Sequence, residues 1–202
     1  MPVKFPPRNM HRFIETLSAE IGWDSYHAVV SKSGLSRDWR SPEFFLAMDG
    51  SQAAEAYARL QSAIRIYYGR GARGILMRIG TKLWGPILKD APLHAKAQSA
   101  ILRGLPKSAR RKAALELLAS LVSAARGDMT VHTLDLDLLV VERASPTTLG
   151  QADDSPICFT TLGLTRECLY WATGGEYDIE ERACRAAGAQ QCEFKISMGE
   201  QQ

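Results

Sequence analysis

Three of the four cysteines of this chain are spaced so that their thiols can act together. The sequence predicts a β-hairpin near the C-terminus, with one strand from Glu176 to Cys184 and an alternating strand from Cys192 to Ile196. This hairpin brings Cys184 and Cys192 close together at its closed end. Cys158 precedes a predicted helix and can approach them from there. Thiols placed in this way can bind a metal, exchange electrons, form a disulfide or simply fill a core.

The cellular compartment decides between these uses of cysteine. No segment of the 202 residues is apolar over the length that a membrane span needs, and the N-terminus lacks the apolar core of a signal peptide. We therefore expect a cytoplasmic protein. In a reducing compartment, cysteines are more readily metal ligands, redox groups or inert core residues than disulfides. A disulfide between Cys184 and Cys192 stays open as an alternative.

Charge and glycine patterns argue against nucleic-acid and nucleotide binding. The net charge of +3 is small and scattered, and the densest basic segment, 107–112, is interpreted as the solvated start of a helix. The glycine-rich segment 69–74 follows a predicted helix rather than a strand, so it lacks the context of a phosphate loop. It predicts a tight connection between two helices.

The C-terminal residues resemble the 4-vinyl reductase domain, also called the hydrocarbon-binding domain. That domain closes on a pattern close to E-x-x-C-x-A-x-G-D-x-x-C-x-F, preceded by a P-V-C segment that opens a helix. This chain matches it with Pro156, Ile157, Cys158, Glu181, Cys184, Ala186, Gly188, Cys192 and Phe194. Ala189 stands where the family usually has an acidic residue. Segment 68–80 is similar to one that introduces the domain in standalone members of the family.

The resemblance implies a zinc site. In the sensor domains of aromatic-responsive transcription activators, which resemble this segment, the matching residues bind zinc; here they are Cys158, Glu181, Cys184 and Cys192. Three thiolates and one carboxylate suit zinc and form a closed, structural site without a position for a reactive water. Arg182, Arg185 and Lys195 are close in sequence and can offset its negative charge.

The identity of the carboxylate ligand stays open. Along a regular strand, Glu180 rather than Glu181 shares a face with Cys184. A β-bulge would reconcile the strand with the family spacing. The alternative to a metal site is that these cysteines are small buried apolar residues. Cys168 falls outside the pattern, and we expect it to be a buried free thiol.

The remaining elements predict an α+β fold, with N-terminal helices followed by an antiparallel sheet packed on helices, as in the trafficking-complex subunits that the family resembles. Residues 1–9 are expected to be an extended arm. Apolar spacing predicts five or six helices over 10–21, 24–34, 51–68, 75–88, 91–102 and 108–125. Segment 129–141 predicts one strand or two short ones, and 144–155 a loop. We expect an N-terminal helical region, 1–68, and a ligand-binding domain, 69–202.

The resemblance also implies a small apolar or aromatic ligand held between helices and sheet. Candidate contacts are the apolar side chains and one strand histidine, namely Leu83, Trp84, Phe159, Leu162, Trp171 and His132. Aromatics at helical spacing are also typical of a plain core, and a single strand histidine of a solvated structural residue.

Three functions remain compatible with these residues. The first is a zinc-containing, homodimeric module that binds or senses an apolar ligand and signals through a partner protein. The second is a tetrapyrrole 4-vinyl reductase or pigment carrier; the absence of a dinucleotide or flavin fingerprint weighs against catalysis by this chain alone. The third is a scaffold without a ligand, which a filled interior would favour. The sequence favours the first function.

Overall fold

The computed structural model describes residues 2–35, 42–102 and 104–198. Within these ranges the chain forms seven α-helices and a four-stranded antiparallel sheet, which confirms the predicted α+β class. The helices are α1 (Pro7–Ile21), α2 (Trp23–Lys32), α3 (Gly50–Tyr68), α4 (Ala72–Lys89), α5 (Leu93–Leu102), α6 (Lys107–Val122) and α7 (Phe159–Thr173). The strands are β1 (Met129–Leu134), β2 (Asp137–Glu142), β3 (Asp178–Ala183) and β4 (Cys192–Ser197).

Two helix starts differ from the sequence prediction. Helix α1 begins at Pro7, so the extended arm is shorter than the expected 1–9. Proline suits the first turn of a helix because its φ is already helical and its missing N–H has no partner there. Helix α3 is capped by Asp49 rather than Ser51: the Asp49 carboxylate accepts from the backbone N–H of Ser51 at 2.7 Å and of Gln52 at 3.0 Å.

The glycine-rich segment connects two helices, as predicted, but it is shorter than expected. Only Gly69–Gly71 forms the connecting turn of 3-10 helix, and α4 already contains Gly74. Gly69 has a positive φ of 53°, which favours glycine at the point where α3 ends. No strand precedes this segment among the described residues, so the phosphate-loop context remains absent.

The sheet has the strand order β1-β2-β4-β3, and every pair is antiparallel. Segment 129–141 forms two short strands, one of the two predicted alternatives, joined by a turn in which Asp135 has a positive φ of 54°. The buried side chains of β4 pair with those of β2: Phe194 lies opposite Val140, and Ile196 opposite Leu138. This alternation gives the sheet one apolar face, and that face joins the common hydrophobic core.

Helices α4 and α7 cross with their backbones in direct contact. A Cβ atom added to Gly80 would lie 2.1 Å from the carbonyl oxygen of Thr160, and one added to Gly163 would lie 2.0 Å from that of Met77. Only glycine permits this approach, because any side chain there would overlap backbone atoms. The crossing determines where the first turn of α7 lies, and hence where Cys158 lies.

One continuous hydrophobic core contains residues from both regions of the predicted division. Phe13 of α1, Leu60 of α3 and Phe194 of β4 all belong to it and are fully buried. The domain boundary between residues 68 and 69 stays a prediction. Among the described helices, none combines the length and apolar character that a bilayer crossing requires.

Candidate metal centre and adjoining cavity

The structure brings Cys158, Glu181, Cys184 and Cys192 together in the interior. One ligand atom of each residue lies within 4.8 Å of those of the other three. The Sγ atoms of Cys158 and Cys192 are 3.6 Å apart, and the backbone N–H of Cys158 donates to Glu181 Oε2 at 2.9 Å. All four residues are buried, the most exposed being Glu181 at 7%. We call this group the Cys3Glu cluster.

Each cysteine of the cluster is placed by the end of a regular element. Cys158 directly precedes α7, Cys184 directly follows β3, and Cys192 opens β4. The hairpin turn between β3 and β4 folds back on Cys184, whose carbonyl oxygen accepts from Ala187 N at 3.0 Å and from Ala189 N at 3.1 Å. Gly188 completes the turn with a φ of 91°, a conformation that favours glycine.

A β-bulge resolves the question of the carboxylate. Glu181 pairs with Phe194, whereas Ala183 pairs with Glu193, so the register shifts across Arg182. The extra residue turns Glu181 into the interior on the same side as Cys184, and Glu180 is left exposed. The structure therefore places Glu181, and not Glu180, in the cluster.

The electrostatics of the Cys3Glu cluster favour a bound cation. Burial raises the pKa of Glu181 to about 8, and one of its oxygens, Oε1, has no hydrogen-bond partner within the described part of the chain. Hydrogen bonds to Cys184 and Cys192, together with burial, raise the pKa of the Cys158 thiol. Acidic groups this close cannot all ionise in a buried site unless a cation compensates them.

The dimensions of the cluster fit tetrahedral zinc. Zinc–sulfur bonds of about 2.3 Å in a tetrahedron place two sulfurs about 3.8 Å apart, close to the 3.6 Å between Cys158 and Cys192. Four protein donors fill the coordination sphere, so the site is of the closed, structural kind. The role of these residues as metal ligands stays a prediction.

The three basic residues expected around the cluster are placed differently from one another. The Arg182 guanidinium lies 2.8 Å from a carboxylate oxygen of Glu193, and Lys195 Nζ lies 3.1 Å from one of Asp137. Arg185 contributes its backbone N–H, which donates to the sulfur of Cys192 at 3.4 Å. Its side chain is not needed for that contact.

Arg65 of α3 is the basic residue that sequence reasoning missed. Its side chain is only 16% exposed; one guanidinium nitrogen donates to Gln151 at 3.1 Å, and another has no partner among the described residues. Burial lowers its pKa, and negative charge on Asp153, Cys158 and Cys184 acts in the opposite direction. The N-terminal helices thus supply a positive charge near the cluster.

A small internal cavity of about 40 Å³ lies between the N-terminal helices, α6, α7 and the start of the sheet. Most of its walls are apolar, and a few polar side chains converge on it. Its lining consists of Phe5, Asn9, Tyr57, Leu83, Ile87, Leu118, Val122, Met129, Glu142, Pro146, Thr160, Thr161 and Leu164. Apolar walls with few polar groups are typical of small-molecule sites, although this cavity is small for one.

Glu142 is an unexpected carboxyl in the inward-facing row of β2. It follows Leu138 and Val140 on that face, and it pairs with Met129 on one side and Cys192 on the other. The residue is 6% exposed, and its Oε2 has no hydrogen-bond partner among the described residues. Burial raises its pKa to about 7. Glu142 therefore lies between the cavity and the Cys3Glu cluster.

A buried polar chain connects the elements around the cavity. The amide of Gln61, a fully buried residue of α3, donates to Thr147 Oγ1 at 3.1 Å and accepts from Thr160 Oγ1 at 3.1 Å. The hydroxyl of Ser145, also fully buried, lies 3.8 Å from the sulfur of Cys158. Segment 144–155, predicted as a loop, thus packs in the interior and carries a turn of 3-10 helix at Pro146–Thr148.

The structure does not bring the six candidate ligand contacts together at this cavity. Leu83 lines it; the rings of Trp84 and Trp171 instead pack edge to face, with centroids 5.4 Å apart. Phe159 is half-buried beneath the guanidinium of Arg73.

The other two candidates lie elsewhere. Leu162 is buried in the core, and His132 is exposed on the edge strand β1, with its Nε2 2.9 Å from Thr130 Oγ1. The role of all six residues as ligand contacts stays a prediction.

All four cysteines are free, so the alternative disulfide between Cys184 and Cys192 is not formed. Cys168 is a buried free thiol, as predicted, and its sulfur donates to the carbonyl oxygen of Ala114 at 3.3 Å. Burial raises the pKa of this thiol. It therefore serves as an internal reference for a cysteine that packs without a cluster.

Comparison with protein families confirms the predicted resemblance. Residues 140–198 match the family model of the 4-vinyl reductase domain, and the match includes Glu142 together with all four residues of the Cys3Glu cluster. No curated protein has a significant sequence match to this chain.

Solved structures share the fold at low sequence identity. The phenol-responsive sensory domain of the transcription activator PoxR, solved with phenol, aligns with a TM-score of 0.51 and 16% identity over 71% of this chain and 73% of its own. An H-NOX protein from S. oneidensis in its Fe(II)NO state has a TM-score of 0.59 and 10% identity over 96% and 99% of the two chains. Another H-NOX protein, studied for heme distortion, has a TM-score of 0.56 and 13% identity over 95% and 92%.

Proposed function

We propose that this chain binds and senses a small apolar or aromatic molecule, and that a structural zinc ion fastens its closing hairpin to α7. The observation that carries the proposal is the convergence of three thiols and one carboxylate beside an internal cavity with mostly apolar walls. The match to the 4-vinyl reductase domain and the shared fold with the phenol-responsive domain of PoxR support it.

In this proposal zinc has a purely structural role. The ion is held by Cys158, Glu181, Cys184 and Cys192, which come from the start of α7, from β3 and its end, and from the start of β4. Cross-linking these elements stabilises the hairpin in the way that structural zinc stabilises small metal-binding domains. Arg65 reduces the net negative charge of the loaded site.

Heme, the cofactor of the H-NOX relatives, does not fit this chain. A cavity of about 40 Å³ is far too small for a porphyrin, and none of the four histidines, all within the described ranges, lines it. Cys158 and the other cluster thiols are already engaged with one another. We therefore restrict the shared features to the fold.

The small size of the cavity favours a second candidate, a scaffold without a ligand. A cavity of about 150 Å³ is needed to hold benzene in an otherwise packed core, and this one has about 40 Å³. Trp84 and Trp171 fill part of the core with their own rings. In this alternative the zinc site is retained, and the exposed helix faces contact partner proteins.

Native mass spectrometry of the purified protein distinguishes the two candidates, because it reports subunit number, bound metal and co-purified molecules together. The sensing proposal, which includes a homodimer and a signalling partner protein, predicts a dimer with one zinc ion per chain and a small organic adduct. Zinc without an adduct under any growth condition favours the scaffold. Chains that carry neither zinc nor an adduct would contradict the proposed function.

A further inference from the structure

The carboxyl of Glu142 occupies a core position that the surrounding sheet reserves for apolar side chains. Its inward neighbours on β2 are Leu138 and Val140, and the facing residues on β4 include Phe194. Placing a carboxyl in such a row costs stability unless a partner satisfies it. Its Oε2 has no partner within the described residues, although the side chain lines the cavity.

The other polar groups at the cavity already have partners. The side-chain amide of Asn9 donates to the carbonyl oxygen of Leu121 at 2.9 Å, and the hydroxyl of Thr160 donates to Gln61 at 3.1 Å. Glu142 is thus the wall residue with an acceptor to spare. A molecule that binds here can satisfy it by donating a hydrogen bond.

We propose that Glu142 anchors the polar head of the ligand, and that the ligand is an uncharged aromatic molecule with a hydroxyl group, of the phenol class. This inference rests on the proposed function and names its binding site. The remaining walls, including Leu83, Leu118 and Met129, are apolar and suit a hydrocarbon ring. A fully charged head would lose its hydration without compensation from these walls.

Entry of a ring requires that Phe5 move. The existing space is about a quarter of what benzene needs. Phe5 lies in the non-helical segment before α1, is 8% exposed, and stacks on Tyr57 with ring centroids 4.4 Å apart. Its backbone is held to the rest of the core by the hydrogen bond from Phe5 N to Gly50 O at 2.8 Å. Displacing this side chain frees its volume and leaves the Tyr57 ring to stack on the incoming ring.

The test compares phenol with toluene, which replaces the hydroxyl group by a methyl group of similar size. Isothermal titration calorimetry measures both affinities for the full chain and for Phe5→Ala, Glu142→Met and His132→Ala. The full chain should bind phenol about tenfold more tightly than toluene, because only phenol satisfies the Glu142 oxygen. Glu142→Met should bring the ratio to about one, and Phe5→Ala should strengthen binding of both probes.

His132→Ala is the matched control, because His132 is exposed on the outer edge of the sheet and does not line the cavity. Its ratio of affinities should equal that of the full chain. If His132→Ala removes the preference for phenol and Glu142→Met keeps it, the assignment of the anchor is wrong. Melting curves of each variant establish that it is folded.

Other outcomes separate this inference from the proposed function. Equal binding of phenol and toluene, unaffected by Glu142→Met, overturns the anchor while the binding function stands. If neither probe binds, even to Phe5→Ala, while native mass spectrometry detects an organic adduct, the cavity is not the site and the inference fails alone. If no probe binds and no adduct is found, the proposed sensing function fails as well.

Discussion

The glycine crossing between α4 and α7 makes a quantitative prediction for the variant Gly163→Ala. The new Cβ would lie 2.0 Å from the carbonyl oxygen of Met77 and 2.9 Å from its carbonyl carbon. Ordinary contacts between such atoms begin near 3.4 Å, so the two backbones must separate by more than about 1 Å. A backbone carbonyl cannot rotate away as a flexible side chain can.

The magnitude follows from two opposing terms. Overpacking a close contact costs about 1–3 kcal/mol, and the rigid backbone obstacle places this case at the upper end. Alanine within a helix recovers about 1 kcal/mol relative to glycine. The net loss of unfolding free energy is therefore about 2 kcal/mol. For a chain of 202 residues, this corresponds to a fall in melting temperature of about 4–8 °C.

Thermal unfolding followed by circular dichroism measures the effect, and Gly74→Ala is the matched control. Gly74 is also in α4, but the nearest atom to its added Cβ is the flexible guanidinium of Arg78 at 3.5 Å. That variant should melt at the same temperature as the parent chain or a few degrees higher. If Gly163→Ala melts like Gly74→Ala, the helices do not cross in backbone contact and the reasoning fails.

Three further predictions concern other parts of the chain. Asp49→Ala removes the capping box of α3 and should cost about 1 kcal/mol in a denaturant titration, whereas an unchanged midpoint would contradict the cap. The hydrogen bond from Arg12 lowers the pKa of Asp90, so this pair should stabilise the fold by up to about 1 kcal/mol above pH 4, and less as the pH falls through the folded-state pKa. The stability difference between the parent chain and Asp90→Asn should therefore shrink on acidification; a constant difference from pH 7 to pH 3 would refute the ion pair. Finally, Cys184→Ser should lose its metal, measured by elemental analysis, whereas Cys168→Ser should keep it; equal metal content in both variants would refute the ligand set.

The elements near the C-terminus could be predicted because local pattern and tertiary role agree there. Cys192, Phe194 and Ile196 alternate in sequence, and all three are buried on one face of β4. The Gly174 that ends α7 adopts the left-handed conformation expected of a C-terminal cap. In such segments each residue type favours the conformation that the core also requires.

The placement of Glu181 lies at the limit of what a sequence can specify. Strand parity assigns Glu180 to the face of Cys184, and only a bulge reverses the assignment. The bulge at Arg182 arises where Ala183 pairs with Glu193 instead of continuing the regular register. That pairing depends on the partner strand, so the sequence of β3 alone could indicate the bulge only as an alternative.

The residues that sequence analysis missed are charged side chains in the interior. Glu142 and Arg65 have types that are mostly exposed in proteins, so composition assigns them to the surface. Glu142 continues the alternation of Leu138 and Val140, and this was the available signal. The environment of Arg65 depends on how α3 packs near the cluster, which no local pattern contains.

The candidate ligand contacts show the opposite difficulty. Trp84 and Trp171 were selected as large aromatic residues on apolar faces, and each could serve either a pocket or a core. In the structure the two rings pack against each other. Periodicity predicts that a side chain faces inward, but the shape of the interior decides whether it fills space or borders it.

Zinc K-edge X-ray absorption of the purified protein tests the central claim most directly. A site built from Cys158, Glu181, Cys184 and Cys192 predicts one zinc ion per chain with three sulfur neighbours at about 2.3 Å and one oxygen neighbour at about 2.0–2.2 Å. A spectrum that shows only oxygen and nitrogen neighbours, or a preparation without metal whose fold is unaffected by added zinc, would contradict the account.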